Sequence, residues 1–361
     1  MALDVSNLTS TVQAPVNFIL MKGLLSAARK TLPFFNGTLP GKLEKSQGAA
    51  SVKWRRIENL AAVTSAISEH TENGPAVFGL GRNTVKPTIT DITKAIAKYG
   101  NAIMLTEEVD LFNVNSGTMQ LMDTLGANAG ESLNGLMRVE FDNATQIRYA
   151  TAAANKSAVV AEMKVNDIKY AVNLLNRNSA LKFTSHGFGS QNVGTNPIRS
   201  SYYGVCHPDV EEDIRSLTGF VGVETYGGYT ETLTGEFGHI NGVRWCMTEI
   251  ASIETGAGTT STSAIFRGTS VDTNDLYTSY IYGKEAVGSI GLGEEHAKEI
   301  YMMGDPKFPP TVELIQHKPG SSGIADIFNE VGSIAWKSWF AGKILDGRWL
   351  VKVVTLAKDL T

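Results

Sequence analysis

The feature that most constrains the fold is a pair of strand-like segments separated by a stretch that is rich in chain breakers. The first segment covers residues 52–57, and the second lies near residues 88–92. Between residues 72 and 87, glycine, proline and asparagine repeatedly interrupt the chain. An isolated two-stranded ribbon is only marginally stable in water. The sequence therefore predicts a β-ribbon that must be supported by something outside itself.

The first strand of this ribbon carries different side chains on its two faces, because side chains alternate along a strand. One face has Val52, Trp54 and Arg56, and the other has Lys53, Arg55 and Ile57. An aromatic residue beside two arginines is one way to bind nucleic acid, by base stacking and phosphate contact. The cluster is short, however, and no second aromatic–basic stripe accompanies it. We interpret it as a charge-guarded edge strand or as a contact between subunits.

A long amphipathic helix is predicted over residues 116–142, with Asn115 and Ser116 offering the N-cap. Its length would be about 40 Å at about 1.5 Å per residue. The apolar positions at helical spacing are Met122, Leu125, Ala129, Leu133, Met137 and Phe141. Four glycines interrupt the pattern, each at a cost of about 1 kcal/mol relative to alanine. Close packing against a sheet would account for them.

The rest of the chain alternates element types. A helix is predicted from Asn166 or Asp167 to Asn176, and a short acidic helix over Val210–Leu217. Asn241-Gly242, flanked by apolar runs, is the strongest hairpin signal. Near the end, Trp349–Leu356 reads as a buried strand.

Charge is distributed unevenly along the chain. Residues 1–60 contain eight basic and three acidic residues, a net +5, which leaves −9 for the remainder because the total is −4. A basic arm on an acidic body suits contact between copies of one molecule, although an ordinary solvated arm would look the same. The two cysteines form no disulfide framework, which favours a reducing, cytosolic birthplace. Neither a signal peptide nor a membrane-spanning apolar run is predicted.

A search for reactive chemistry finds little. There is no phosphate-binding loop and no nucleophile elbow. Cys206, His207, His239 and Cys246 would converge on a metal only if two distant strands were adjacent, and small buried cysteines are the commoner explanation. Adjacent acid pairs such as Glu211-Glu212 do not face each other on a helix. We therefore expect no catalytic, cofactor-binding or metal site. An α/β enzyme with unrecognised motifs is the weaker alternative.

Several segments together resemble the major capsid proteins of tailed bacteriophages, in particular the coliphage N-four subfamily. They occur in family order and cover most of the chain. The segments are VKWRRIENL (52–60), Tyr99-Gly100 with LTEEV (105–109), residues 125–150, YGVCHPDVEEDIRSL (203–217), GEFGHINGVRWCMT (235–248) and residues 333–350. The resemblance implies an α+β chain with the Hong Kong 97 capsid fold.

In that fold, the resemblance assigns residues 1–45 to an N-terminal arm and 46–98 to a long β-ribbon, the E-loop. Residues 99–150 and 325–361 would form a peripheral domain, whose spine helix (about 116–142) lies against a sheet. Residues 151–324 would form the axial domain. The last strand, Trp349–Leu356, is expected to return to the peripheral sheet.

The function implied is structural. Identical chains would assemble as pentamers and hexamers into an icosahedral head, made in the host cytoplasm, that encloses double-stranded DNA without sequence-specific binding. Portal, scaffolding and possible decoration proteins are the expected partners, and no membrane is involved. A shell protein of the encapsulin type, with an enzyme cargo, is the alternative on the same fold. The expected intersubunit contacts are Lys53, Trp54, Arg55, Arg56, Arg82 and Lys86.

Overall fold

The computed structural model describes most of the body of the chain. It covers residues 33–43, 51–58, 60–62, 64, 87–106, 117–183, 200–225, 233, 235–258, 266–268, 273–292, 312–317, 328 and 330–359. Most of the predicted arm and the predicted tip of the ribbon, including the N-cap positions Asn115 and Ser116, lie outside these residues. The helices are α1 Gly117–Asp142, α2 Val165–Arg177 and α3 Glu211–Arg215.

The strands, in chain order, are β1 Leu39–Leu43, β2 Ser51–Ile57, β3 Ile89–Ala95, β4 Ala97–Thr106, β5 Gln146–Tyr149, β6 Tyr202–Cys206, β7 Val221–Gly222, β8 Glu236–Ile240, β9 Val243–Met247, β10 Ile253–Glu254, β11 Leu276–Tyr282, β12 Val287–Leu292, β13 Val312–His317, β14 Val331–Ile344 and β15 Leu350–Thr355. Short 3-10 turns occur at Pro33–Phe35, Ala150–Ala152, Lys156–Ala158, Pro208–Val210, Val223–Thr225 and Gly347–Trp349. The mixture of helices and several sheets agrees with the predicted α+β class.

The strands form two larger sheets and one ribbon. One sheet has the order β1-β12-β14-β13, with β4 also paired to β14. The other has the order β5-β15-β11-β6-β9-β8-β7, with β10 paired to β11. Within the described residues, the ribbon consists of β2 paired with β3.

Helix α1 confirms the predicted amphipathic helix, and its predicted apolar positions are all buried. It packs along β14 and, less extensively, along β4. The explanation offered for its glycines is wrong at Gly135. A Cβ there would have Ile250 as its nearest neighbour at 3.9 Å, which is ordinary contact rather than forced close approach.

The predicted hairpin is also confirmed. Asn241 and Gly242 join β8 to β9 with φ of 50° and 78°. Both central residues therefore have positive φ, as the tight turns that match strand twist require.

The last strand lies in a different sheet from β4 and β14, and its return to a peripheral sheet stays a prediction. Strand β15 pairs with β11 and β5 in the eight-stranded sheet, whereas α1 packs against the sheet that contains β14 and β4. A buried apolar strand fits either sheet equally well, so its composition alone did not determine its partner.

The end of the predicted arm belongs to the core. Phe34 is fully buried, with its ring 5.2 Å from that of Phe141 and 5.5 Å from that of Tyr280. The Asn134 side chain accepts a hydrogen bond from the Phe34 backbone N–H at 3.2 Å. This core lies between α1 and the two larger sheets. A second core, which includes Trp245, joins α2 to the eight-stranded sheet.

Candidate assembly surface

The ribbon formed by β2 and β3 has two distinct faces. Its strands are antiparallel, with Trp54 opposite Ile92 and Arg55 opposite Asp91. Exposure alternates along both strands, so that every second residue is half-buried and the others are exposed. The face assignment made from the sequence is therefore confirmed. The half-buried face is the inner face, and the exposed face is the outer face.

The inner face rests on the chain's own body through Trp54. The indole lies against Gly288 in β12, where a Cβ would come within 2.9 Å of a ring atom. A side chain at this position would push the ribbon away. Trp54 Nε1 is buried and has no hydrogen-bond partner within the described residues. Burial of apolar surface therefore accounts for the indole's contribution here.

Beyond Trp54, an ion-pair group fastens the ribbon to the turn after β14. We call this group the clasp, and its members are Arg56, Glu58, Asp346 and Arg348. Arg56 donates to the Leu345 carbonyl at 2.9 Å and lies 3.2 Å from the Asp346 carboxylate. It also pairs with Glu58. Arg348 bridges Asp346 and Glu58 at 2.9 and 3.2 Å.

The clasp depends on two ionised carboxylates. The hydrogen bond from Arg56 lowers the pKa of Glu58. Burial alone would raise the pKa of Asp346, but hydrogen bonds from Arg348 and the charge of Arg56 outweigh it, and the pKa is lowered. Arg348, in turn, has its pKa raised by its hydrogen bond to Asp346. A further ion pair, Lys94 with Glu140, joins β3 to α1.

The outer face points away from the body and combines charge with apolar surface. The side chains of Lys53 and Arg55 are 52% and 60% exposed, and both pair with Asp91, at 2.5 and 3.0 Å. Hydrogen bonds, first from Arg55 and then from Lys53, lower the pKa of Asp91 to about 2. Ile57 and Ile89 are directly opposite each other and are 62% and 50% exposed. An exposed pair of isoleucines in register is unusual on a surface that stays in water.

The structure thus separates the predicted contact residues into two groups. Trp54 and Arg56 contact the chain's own body, and Lys53 and Arg55 lie on the outer face. Arg82 and Lys86 lie outside the described residues. Contact with a neighbouring subunit stays a prediction for all six.

Sequence reasoning missed the anchors Gly288, Asp346 and Arg348. Arg56 and the carbonyl that it contacts are 289 positions apart, so no local pattern links them. Asp346 also caps the turn that follows β14, by accepting a hydrogen bond from the Arg348 N–H.

The metal site considered from the sequence required two distant strands to be adjacent, so that Cys206, His207, His239 and Cys246 could converge. Its strands, β6 and β9, are indeed adjacent, but Cys246 is paired with Val205, the neighbour of Cys206. Paired residues share a face of the sheet, so the two cysteines point to opposite faces. Burial raises the pKa of both thiols, to about 12 for Cys246, which disfavours the thiolate that metals bind. Among the described residues, no group of three or more His, Cys, Asp or Glu has the spacing of a metal site.

None of the helices in the described part of the chain is both long and apolar enough to cross a membrane.

Comparison with known proteins identifies the family to which the sequence is similar. The sequence model of the family described as phage capsid protein matches residues 90–353. Comparison with curated protein sequences gives no significant match.

Solved structures show the same fold at low sequence identity. The capsid of Ralstonia phage GP4 superposes with a TM-score of 0.62 at 11% identity, covering 92% of this chain and 93% of that one. The capsid of the cyanophage Pam1 gives 0.55 at 10% identity and 89% of each chain. That of the cyanophage P-SCSP1u gives 0.54 at 11% identity, with 91% and 89% covered.

These likenesses support the predicted Hong Kong 97-type capsid fold, while the resemblance to the N-four subfamily stays a prediction. The family match covers well over half of the chain, and the anchored ribbon with its exposed outer face is consistent with a protein that contacts its neighbours. The chain therefore belongs to the phage capsid protein family and is a structural protein of the virion capsid.

Proposed function

We propose that copies of this chain assemble as pentamers and hexamers into an icosahedral phage head that encloses double-stranded DNA. The observation that supports this most is the two-faced ribbon. Its inner face rests on the subunit through Trp54 and the clasp, which sets the direction in which the outer face points. Its outer face presents Lys53, Arg55 and the Ile57–Ile89 pair to whatever lies beside the subunit.

The proposed contact is heterologous, between the outer face on one subunit and a different surface on the next. Such contacts close into rings when the rotation between subunits allows it. Obligate interfaces bury about 2,000 Å² or more. The outer face alone is smaller than that, so the predicted arm and ribbon tip, including Arg82 and Lys86, would supply the rest.

We retain the domain assignment as part of the proposal. Residues 1–45 form the arm, 46–98 the E-loop, 99–150 with 325–361 the peripheral domain, and 151–324 the axial domain. The burial of Phe34 supports an arm whose inner end is fixed in the body. The pairing of β15 with β11 favours a C-terminal strand that links the last two domains.

The mildly acidic composition suits a container for DNA rather than a protein that binds it tightly. Residues beyond 60 carry a net −9, and a strongly basic lining would hold DNA by phosphate contacts. Strong, salt-sensitive binding of DNA by the isolated subunit would contradict this part of the proposal. We also propose portal, scaffolding and possibly decoration proteins as partners, and synthesis in the host cytoplasm.

The test is a double charge reversal on the outer face, Lys53→Glu with Arg55→Glu. The expected result is loss of particles in electron microscopy from a subunit whose body still unfolds cooperatively, since the introduced glutamates repel Asp91 only within the exposed ribbon. The control is Lys284→Glu, a reversal at an exposed position away from the ribbon, which should leave particles intact. Normal particles from the double reversal would refute the outer face as a contact. The contents of wild-type shells separate a phage head, which holds DNA, from a compartment that holds cargo protein.

A further inference from the structure

Strand β4 leaves one of its two backbone edges open. It pairs with β14 along its whole length, from Ala97 opposite Phe340 to Thr106 opposite Val331, without a register shift. In the part of the chain that the structure describes, no strand pairs with its other edge. An open edge presents a row of unpaired N–H and C=O groups to any strand that approaches.

The other edges of the two larger sheets carry features that block such pairing. Strand β1 contains Pro40, which has no N–H to donate, and β13 has six residues. Strands β5 and β7 have only four and two residues. Prolines, charges and short lengths are the devices by which proteins protect edges.

Strand β4 lacks two of these devices, proline and short length, and carries little of the third, charge. It is ten residues long, contains no proline, and has Lys98 as its one charged residue. Strands of this kind are expected to pair with another strand or to aggregate. A strand of this kind that has no second neighbour within the described residues is therefore suited to pairing in the assembly.

The two faces of β4 differ in character. Tyr99, Ile103 and Leu105 pack on the core, and Asn101 donates to Asn128 in α1 at 3.3 Å. The alternate residues point outward, and Met104 is 79% exposed. Gly100 leaves no side chain in this outward row, since a Cβ there would lie 2.5 Å from the Trp336 carbonyl oxygen.

We infer that β4 pairs antiparallel with β4 of a second copy of this chain, about a twofold axis at Ala102. Two five-stranded sheets would then join into one across an isologous interface. The inference rests on the proposed shell function and adds to it a second contact, distinct from the ribbon.

In this register, the side chains of β4 are compatible with those of an antiparallel second copy of β4. Because outward residues must face outward residues, Ala102 meets its equivalent and Met104 meets the partner's Gly100, where the missing side chain leaves room for it. Lys98 would face the partner's Thr106. The two copies of Lys98 would be eight positions apart, or about 27 Å at about 3.4 Å per residue. That separation exceeds the Debye length of about 8 Å at physiological salt, so their repulsion is screened.

Cysteine cross-linking tests the register on the full-length protein. Directly opposed residues have Cα atoms about 4.5–5.5 Å apart, within the range of about 4.4–6.8 Å that a disulfide needs. We therefore expect Ala102→Cys to give a covalent dimer under mild oxidation. The native Cys206 and Cys246 are buried and should not interfere.

Met104→Cys is the matched control. It lies on the same face and is highly exposed, but its equivalent would be four positions away, about 14 Å along the strand. It should cross-link much less than Ala102→Cys, in particles and in concentrated subunits alike. Equal cross-linking at both positions, or none at Ala102→Cys, would overturn the inference. A β4 edge occupied by another protein would give a mixed adduct with that protein instead, which also overturns it.

A second pair of variants checks the contact without oxidation. Ala102→Lys places two like charges directly opposite each other, so loss of this contact and of normal particles is expected, with the subunit still folded. Ala102→Ser should retain both. Particles that form normally from Ala102→Lys would refute the β4 contact and leave the proposed shell function intact. Absence of particles from the wild-type chain would instead refute the shell function itself.

Discussion

Strand β11 and the ribbon β2–β3 differ in how they are attached to the rest of the subunit. All seven residues of β11 are buried, and it has β15 on one side and β6 on the other. In the part of the chain that the structure describes, the ribbon strands pair with each other and with no third strand, and every second residue is exposed. The eight-stranded sheet is stabilised by its own packing, whereas the ribbon depends on one indole and a few ion pairs.

The buried eight-stranded sheet therefore contributes more to the stability of the subunit than the ribbon does, and the ribbon is the more adaptable of the two. Regions with few buried apolar contacts open locally at much lower free energy than the core. A ribbon held by few contacts can adjust its position, which suits the proposed contact with a neighbouring subunit. The following substitutions should separate the two regions, from the largest expected effect to the smallest.

Phe34→Ala should have the largest effect, although Phe34 lies in the predicted arm. Its fully buried ring contacts Phe141 and Tyr280, so removing it should cost about 3–5 kcal/mol of the free energy of unfolding. Denaturant unfolding of the subunit measures this. Phe328→Ala is the control, because that ring is 79% exposed and its loss should change stability by less than about 0.5 kcal/mol. Equal effects would mean that the arm's inner end is not part of the core.

Trp54→Ala should loosen the ribbon and leave the body unchanged. A half-buried tryptophan should contribute about half of what a buried one does, or about 2 kcal/mol. Amide exchange in β2 and β3 should then accelerate about 30-fold, at about 1.4 kcal/mol per factor of ten. Exchange in β11 should stay as it is. Faster exchange in both regions would contradict the separation drawn here.

Acid should release the clasp before it unfolds the body. Glu58 and Asp346 have folded-state pKa values below their unfolded values. Their stabilisation is therefore fully present above the unfolded values of about 4 and is lost as the pH falls through the folded values. Amide exchange in β2 and β3, corrected for the intrinsic pH dependence, should increase in that window.

Asp346→Asn should mimic this release at neutral pH, because the amide keeps one acceptor oxygen but loses the charge, at a cost of about 1.5 kcal/mol. Its ribbon should exchange fast at pH 7 and respond less to acid. A wild-type ribbon whose protection is independent of pH below 4 would show that the clasp does not hold it.

Asp91→Asn should have the smallest effect on folding. Asp91 pairs with Lys53 and Arg55 on the exposed outer face, where solvent screens ion pairs. The melting midpoint and the exchange of both regions should be unchanged, while particle yield tests whether the outer face needs this pairing. A clear drop in the melting midpoint would place the outer-face network among the interactions that hold the fold.

The contrast between the regions also explains what could be read from the sequence. Helix α1, the Asn241-Gly242 hairpin and the two-faced β2 each carry a local signal, and all three are confirmed. Strands β1 and β12 are joined in parallel across a separation of about 250 residues, and neither has a periodic pattern of its own. The clasp has the same property, since Arg56 and Asp346 attract each other only once the chain has folded. Local periodicity therefore predicted individual helices and strands. The contacts that hold the ribbon to the body depend on residues far apart in the sequence and could not be predicted in this way.

The most direct test of the account is electron microscopy of the purified wild-type protein, alone or with a scaffolding protein. The account predicts rings, tubes or closed shells in which the outer face of each ribbon contacts a neighbouring subunit. A single small monomeric species at working concentration, or shells whose ribbons touch only their own subunit, would contradict it.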